Sequence, residues 1–182
     1  MRRALAVGLL LAVALAGCSK SNPAPSRLSG VKSFSNLSKG HKRGHLTYPQ
    51  TPPVGGNHSP AWLKCAVYTE AVPNENAVHS LEHGAVWLTY TPDLTAADVA
   101  RLVALDSINP DYILISPYPG QPSPVMATAW GYQLAVTSAD DARLADFVKA
   151  YAGGGQGGEA GADCARQGLS PAQARQLLEQ AG

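Results

Sequence analysis

The chain has 182 residues, 45% of them hydrophobic, and a formal net charge of +1 at pH 7, which suits one domain plus a tether. The near-zero charge hides a split: seven basic and no acidic residues run from Cys18 to Thr69, then thirteen acidic and five basic from Glu70 onward. The basic part has Phe34 as its only aromatic before Tyr48, which argues against nucleic acid as a partner.

The first segment reads MRRALAVGLLLAVALAGCSK. Arg2 and Arg3 precede an apolar run from Ala4 to Ala16, shorter than the roughly 20 residues of a transmembrane span, so it reads as an export signal. Leu15-Ala16-Gly17-Cys18 has the form of a lipobox, in which small residues precede a cysteine that is diacylated and becomes the N-terminus. The alternative is an ordinary signal peptide with a chance cysteine. On the lipoprotein reading, residues 1–17 are the signal peptide and Cys18 is the lipidation site. The protein then sits on the extracytoplasmic side of the cell membrane, with membrane lipid as its first partner. More than one acyl chain anchors stably, at about 0.8 kcal/mol per buried methylene. The basic segment beside the anchor suits anionic headgroups or is simply a solvated linker.

Residues 18–40 are rich in Ser, Asn, Pro and Lys and read as a flexible tether. Residues 41–152 read as the core domain. YPQTPPVGGNHSP, from Tyr48 to Pro60, is an irregular loop stiffened by its prolines. CAVYTEAV is a short strand candidate. Asn74 to His83 predicts a short helix, with Asn74 as N-cap and Gly84 just past its end. AVWLTYT predicts a buried strand. PDLTAADVARLVALD predicts a helix capped by Thr95, with Val99, Leu102 and Val103 on one face. DYILIS is a strand. VMATAWGYQLAV is another, with a bulge or bend at Gly131. SADDARLADFVKAYAGG is an amphipathic helix with a Leu144, Phe147, Val148, Tyr151 stripe. Residues 153–169 form a Gly-rich segment carrying Cys164 and read as a flexible spacer. Residues 170–182 end the chain as a helix with Ser170 as N-cap, Pro171 first and Gln173 completing a capping box. This order predicts an α+β fold: a single compact domain in which helices pack on a small, mostly antiparallel sheet.

All five histidines, His41, His45, His58, His79 and His83, lie in one stretch. His79 and His83 fall about one turn apart on one helix face, a natural metal clip. His58, in the stiff loop, is the natural third ligand, with His41 or Cys65 as a fourth. Imidazole suits copper or zinc, and the pattern does not separate them. Met126 is the only methionine beyond the signal, so a methionine-rich copper carrier is not supported. The opposing reading is that these histidines cap, pack and hold the loop, giving an envelope structural or partner-binding domain. His79-Ser80-Leu81-Glu82-His83 also spells H-x-x-E-H, the inverted zinc-protease motif, with Glu82 as base. Glu159 is the distant carboxylate that such a site needs, but its place in the Gly-rich segment predicts a poorly held ligand. A metal-dependent hydrolase is therefore the weakest reading, and no catalytic residue is assigned. Cys65 and Cys164 pair in an oxidising compartment, unless Cys65 is instead a soft metal ligand.

Tyr48-Pro49, PPVGGNHSPAW, Cys65 with the following Val-Tyr, VPNENAVHSLEHGAVWLTY and SPYPGQPSPVMATAWG occur in this order. Together they resemble the bacterial domain-of-unknown-function family 3105, from about His41 to Cys164. The resemblance implies an exported or membrane-anchored protein of uncharacterised activity. It implies histidines at the positions of His58, His79 and His83, and one before the Tyr-Pro that matches His41 better than His45. It also implies a Cys65–Cys164 disulfide, and a plain aliphatic role for the position of Met126.

Overall fold

The computed structural model describes residues 28–159, 161–162 and 164–181. The segment read as an export signal, Cys18 and the first part of the stretch read as a tether lie outside the described residues. Among those described, no helix is long and apolar enough to cross a membrane.

The described residues form the α+β fold expected, with five strands and four α-helices. The strands are β1 (Lys32–Ser33), β2 (Val86–Tyr90), β3 (Ile113–Pro117), β4 (Val125–Ala129) and β5 (Tyr132–Val136). The helices are α1 (Asn74–Glu82), α2 (Ala96–Ala104), α3 (Ala142–Tyr151) and α4 (Pro171–Glu179). The sheet order is β1-β5-β4-β2-β3. The β2–β3 pair is parallel and the other pairs are antiparallel.

Strand β2 is buried along its whole length, because both faces of the sheet are covered. Alternation sends Val86, Leu88 and Tyr90 to one face and Trp87 to the other. On the first face they meet Leu102 of α2 and Leu144, Phe147, Val148 and Tyr151 of α3. That is the stripe predicted for α3. On the second face Trp87, Leu114 and Trp130 meet Ala77, Val78 and Leu81 of α1, Ala174 of α4, and Leu63. Helix α1 therefore lies on this second layer, and the site is built there.

The caps follow the sequence at α2 and α4. Thr95 Oγ1 accepts from the Asp98 N–H at 3.1 Å. Ser170 and Gln173 form the reciprocal capping box. Helix α1 differs: its N-cap is Pro73, which has no side-chain acceptor to offer, and Asn74 is the first helical residue. The side chain of its neighbour Asn76 is used elsewhere, as described below.

Other expectations change as well. CAVYTEAV is not a strand. It touches β3 through one parallel bridge at Val67, where Ile115 N–H donates to Ala66 O (3.0 Å) and Tyr68 N–H to Ile115 O (2.8 Å). Two residues earlier the chain is turned toward Cys164, with Cys65 N–H donating to Cys164 O at 2.8 Å. VMATAWGYQLAV is a hairpin of β4 and β5, and Trp130-Gly131 is its two-residue turn, so Ala129 faces Tyr132. The residues from 28 to 40, read as tether, enter the fold. Lys32 and Ser33 pair with Gln133 and Tyr132 as an edge strand, and Leu28 and Val31 pack against the first core layer.

Cys65 and Cys164 are bonded to each other across a sequence separation of 99. Both are buried in the second layer. Closing a loop of that length stabilises by up to about 4–5 kcal/mol in the chain-entropy model. A Cys65→Ala/Cys164→Ala variant should therefore lose about 2–5 kcal/mol of unfolding free energy in a urea titration. An unchanged midpoint would mean that the bond constrains little.

Candidate metal centre

Helix α1 buries Glu75 through Glu82 without a solvent face. Its polar side chains must then find partners inside the protein. Asn76 Nδ2 donates to Ser59 Oγ (3.1 Å) and Ala61 O (2.6 Å). Ser80 Oγ donates to Leu63 O at 2.7 Å and accepts from the Leu63 N–H at 3.1 Å. Ser59 N–H donates to Glu75 O at 3.1 Å. These bonds staple the loop from Ser59 to Leu63 along the helix. They place His58, at the head of that loop, over the helix C-terminal half.

His58 in turn holds His41. His58 N–H donates to Gly40 O (3.1 Å) and Lys42 N–H donates to His58 O (2.7 Å), a one-residue parallel bridge. The two rings meet edge-on with centroids 4.9 Å apart. His41 also stacks on His79 at 4.8 Å, and His79 stacks on His83 at 4.8 Å. The predicted histidines His41, His58, His79 and His83 thus converge. His45 does not join them; it lies 3.7 Å from Glu75, at the other end of α1.

Among the described residues, two groups of donors could hold a metal ion. His41, His58, His79 and Glu82 form one; His79, His83 and Glu159 form the other; in each, the donor atoms lie within 4.8 Å of one another. The sequence placed His83 with His41, His58 and His79. The structure instead puts Glu82 with those three and His83 in the second group. The cause is helical geometry: Glu82 is three residues after His79 and turns toward the loop that carries His58. Cys65 is excluded as a ligand by its bond to Cys164.

The ring nitrogens are assigned by their partners. His58 Nδ1 lies 2.8 Å from Gly56 O, and His79 Nδ1 lies 2.7 Å from Ser59 O. A carbonyl only accepts, so each Nδ1 carries the proton and each Nε2 presents its lone pair in the neutral ring. Backbone carbonyls on the far nitrogen commonly orient metal-binding histidines in this way. His58 Nε2 faces Glu82 Oε2 at 2.9 Å. Neither atom makes a hydrogen bond of sound geometry among the described residues, and both are buried. A lone pair and a carboxylate oxygen facing each other in a dry site need a cation or a proton between them. His79 Nε2 faces His83 Nε2 at 2.9 Å, again with room for one shared proton.

The second group depends on the glycine-rich segment, which is packed rather than free. Gly153 N–H donates to Gly84 O at 2.9 Å. A Cβ at Gly157 would collide with Glu82 O, so only glycine lets the 3-10 turn Gly155–Gly157 cross the end of α1. This crossing brings Glu159 Oε2 to 3.6 Å from His83 Nε2, with the Glu159 side chain half-exposed. The sequence reading of Glu159 as too loosely held missed this contact. Trp62 was also missed. Its ring lies 4.8 Å from His83 and 5.4 Å from His79, and Trp130 meets His58 edge-on at 5.7 Å. The legible signal was one polar stripe on a buried helix: Asn76, His79, Ser80 and His83 fall at i, i+3, i+4 and i+7, on a single face.

Burial governs the charges. It lowers the His58 pKa; the bond to Gly56 O opposes that, and neighbouring His41 adds to it. Burial also pushes His79 down to about 3, and the approach of His58, His83 and His41 works in the same direction. Burial first, then the Glu159 carboxylate, raises the Glu82 pKa. The cluster therefore keeps His79 neutral, with its Nε2 lone pair free for a cation.

The family model described as Protein of unknown function (DUF3105) matches residues 41–166, and the chain belongs to that family. No curated protein and no solved structure matches the chain.

The depressed His79 pKa makes folding pH-dependent. The folded state binds this proton only near pH 3, whereas the unfolded chain binds it near 6.5. Between these values the unfolded state holds more protons, so stability falls as pH drops from about 6.5 toward 3 and is flat above, with respect to this group. His79→Gln should flatten the slope by up to about 1.4 kcal/mol per pH unit, read by urea titrations from pH 7 to 4. Equal slopes in the two proteins would rule out the buried neutral imidazole.

Proposed function

We propose that this member of the DUF3105 family binds a transition metal ion, copper or zinc, at the extracytoplasmic face of the cell membrane, where lipid on Cys18 anchors it. The observation that carries the reading is the facing pair of His58 Nε2 and Glu82 Oε2. They are buried, 2.9 Å apart and without hydrogen-bond partners among the described residues. Two further imidazoles, His41 and His79, lie within reach. A cation satisfies both orphaned atoms at once, and its charge offsets the cost of burying Glu82 as a carboxylate.

The donor set is three imidazoles and one carboxylate. Zinc and copper(II) suit it, whereas copper(I) favours thiolate and thioether ligands. Cys65 and Cys164 are tied up in their bond, and Met126 lies within β4. A tetrahedral zinc site with bonds of about 2.0–2.1 Å has donor atoms about 3.3 Å apart. Donors already within 4.8 Å close on such an ion by small side-chain movements. When bound, the ion supplies positive charge to a dry site. The chain's own residues orient it: Gly56 O and Ser59 O fix the rings, and Trp62 and Trp130 shield them. This arrangement fits a protein that carries or stores the metal.

A structural role for the histidines is the second reading, because the same rings pack on Trp62 and Trp130. Titration calorimetry with zinc and copper(II) separates the two. One ion per chain is expected, with about 10–100-fold loss of affinity or more in His58→Ala and His79→Ala. Circular dichroism confirms that the variants fold. A folded parent that takes up no ion at near-stoichiometric challenge would leave only the structural role.

The anchoring rests on the lipobox and the basic segment beside it, and a disulfide-bonded core suits an exported protein. Full-length protein expressed in a bacterium should incorporate labelled palmitate and fractionate with membranes. Cys18→Ala should lose the label and leave the membrane fraction. Retention of label in that variant would remove Cys18 as the site.

A further inference from the structure

We propose that the cluster offers one ion two mutually exclusive positions that share His79, and that the second, formed with His83 and Glu159, is its route of exchange. This deepens the metal-binding reading and rests on it.

The two donor groups have only His79 in common. His79 can give one bond. Its Nδ1 is held against Ser59 O at 2.7 Å, so Nε2 is its only free lone pair, and one lone pair ligates one cation. Two ions therefore cannot both use His79. A single ion can use it in either setting, with His58, Glu82 and His41 on one side or with His83 and Glu159 on the other. The rings are aligned for this choice. His41, His79 and His83 form a stacked column, at 4.8 Å per step and interplanar angles of 28° and 19°.

The positions differ in chemistry. The first has four donors, which fill a tetrahedral shell and close it. The second has three, which leaves one position open, as in sites that exchange a ligand. Each position has one exposed donor, His41 in the first and Glu159 in the second, so it is the open coordination position that marks the second as the route of exchange. Glu82 is 1% exposed as a residue, and the Glu159 side chain is 52% exposed. The 3-10 turn Gly155–Gly157, pressed against Glu82 O, holds Glu159 at this outer position. An ion leaving the four-donor position keeps its bond to His79 while His83 and Glu159 replace the others. It never loses all its ligands at once. An ion on His79 Nε2 displaces the 2.9 Å contact with His83 Nε2, and His83 ligates through Nε2 with its one ring proton on Nδ1, so both rings stay neutral and no proton is released. No electron moves, and the ion keeps its charge. An acceptor carrying an imidazole, thiolate or carboxylate then enters at the open position.

The test uses full-length protein loaded with one zinc ion, and measures both equilibrium affinity and the rate of ion loss to an excess of chromogenic chelator. Glu159→Gln should release zinc about tenfold more slowly, equivalent to about 1.4 kcal/mol in the barrier, at nearly unchanged affinity. His83→Gln should do the same. Glu82→Gln, which alters the four-donor position, should instead weaken affinity by about tenfold or more. Two zinc ions per chain would overturn the proposal. So would an unchanged release rate in both outer variants, or faster release in proportion to lost affinity, which would make Glu159 and His83 ordinary ligands. A parent that binds no zinc would overturn the underlying reading instead.

Discussion

Helix α1 is buried on every side, yet it carries Glu75, Asn76, His79, Ser80 and Glu82. Buried polar groups must be paired, and this requirement organises the second layer of the molecule. Glu75 accepts from the Leu46 N–H. Asn76 and Ser80 bind the backbone of residues 61 and 63, and His79 binds Ser59. The loop before the helix is fixed along its length as a result. His58 is positioned by that loop, and His41 by its backbone bridge to His58. Among the described residues, the buried side-chain atoms of α1 and its C-cap left without a hydrogen bond are the Asn76 amide oxygen and, at the C-terminal end, Glu82 Oε2 and His83 Nδ1, with His58 Nε2 facing Glu82.

The same end of α1 shows how glycine acts at close range. Gly84 has φ +99°, which ends the helix in the left-handed conformation that glycine adopts without strain. The chain then runs through β2 to β5 and helix α3 before returning as Gly153–Gly158. The absence of a side chain at Gly157 lets it lie directly on the backbone of Glu82. A glycine run in isolation has the composition of a linker. Here it makes a close backbone-to-backbone contact, held further along by the Cys65–Cys164 bond, and Glu159 reaches the histidines because of it.

The H-x-x-E-H letters acquire a different sense in this setting. Helix α1 is nine residues long and ends at Glu82, with His83 as its C-cap. Glu82 faces His58 rather than an open cleft. The cavity of about 550 Å³ lined by His45, Pro73, Glu75 and Arg175 lies at the opposite end of the helix. The motif therefore contributes two histidines and a carboxylate to a dry donor cluster, divided between two overlapping groups.

The sequence by itself determined the α+β class, the stripe on α3, the caps at Thr95 and Ser170, the stop at Gly84, the family, and His41, His58, His79 and His83 as the residues to watch. These are read from local patterns: periodicity, capping chemistry, turn residues and the clustering of one residue type. The tertiary structure alone decided the rest. It put Lys32–Ser33 at the sheet edge, made a hairpin at Trp130-Gly131, laid the glycine segment on α1, and gave Glu82 to His58 and Glu159 to His83. Apart from the hairpin, which is local, each of these is a contact between segments far apart in the chain, or a choice of which buried atom faces which. No local pattern encodes such choices. They follow from packing both faces of one sheet while pairing the polar groups of a helix that has no surface of its own.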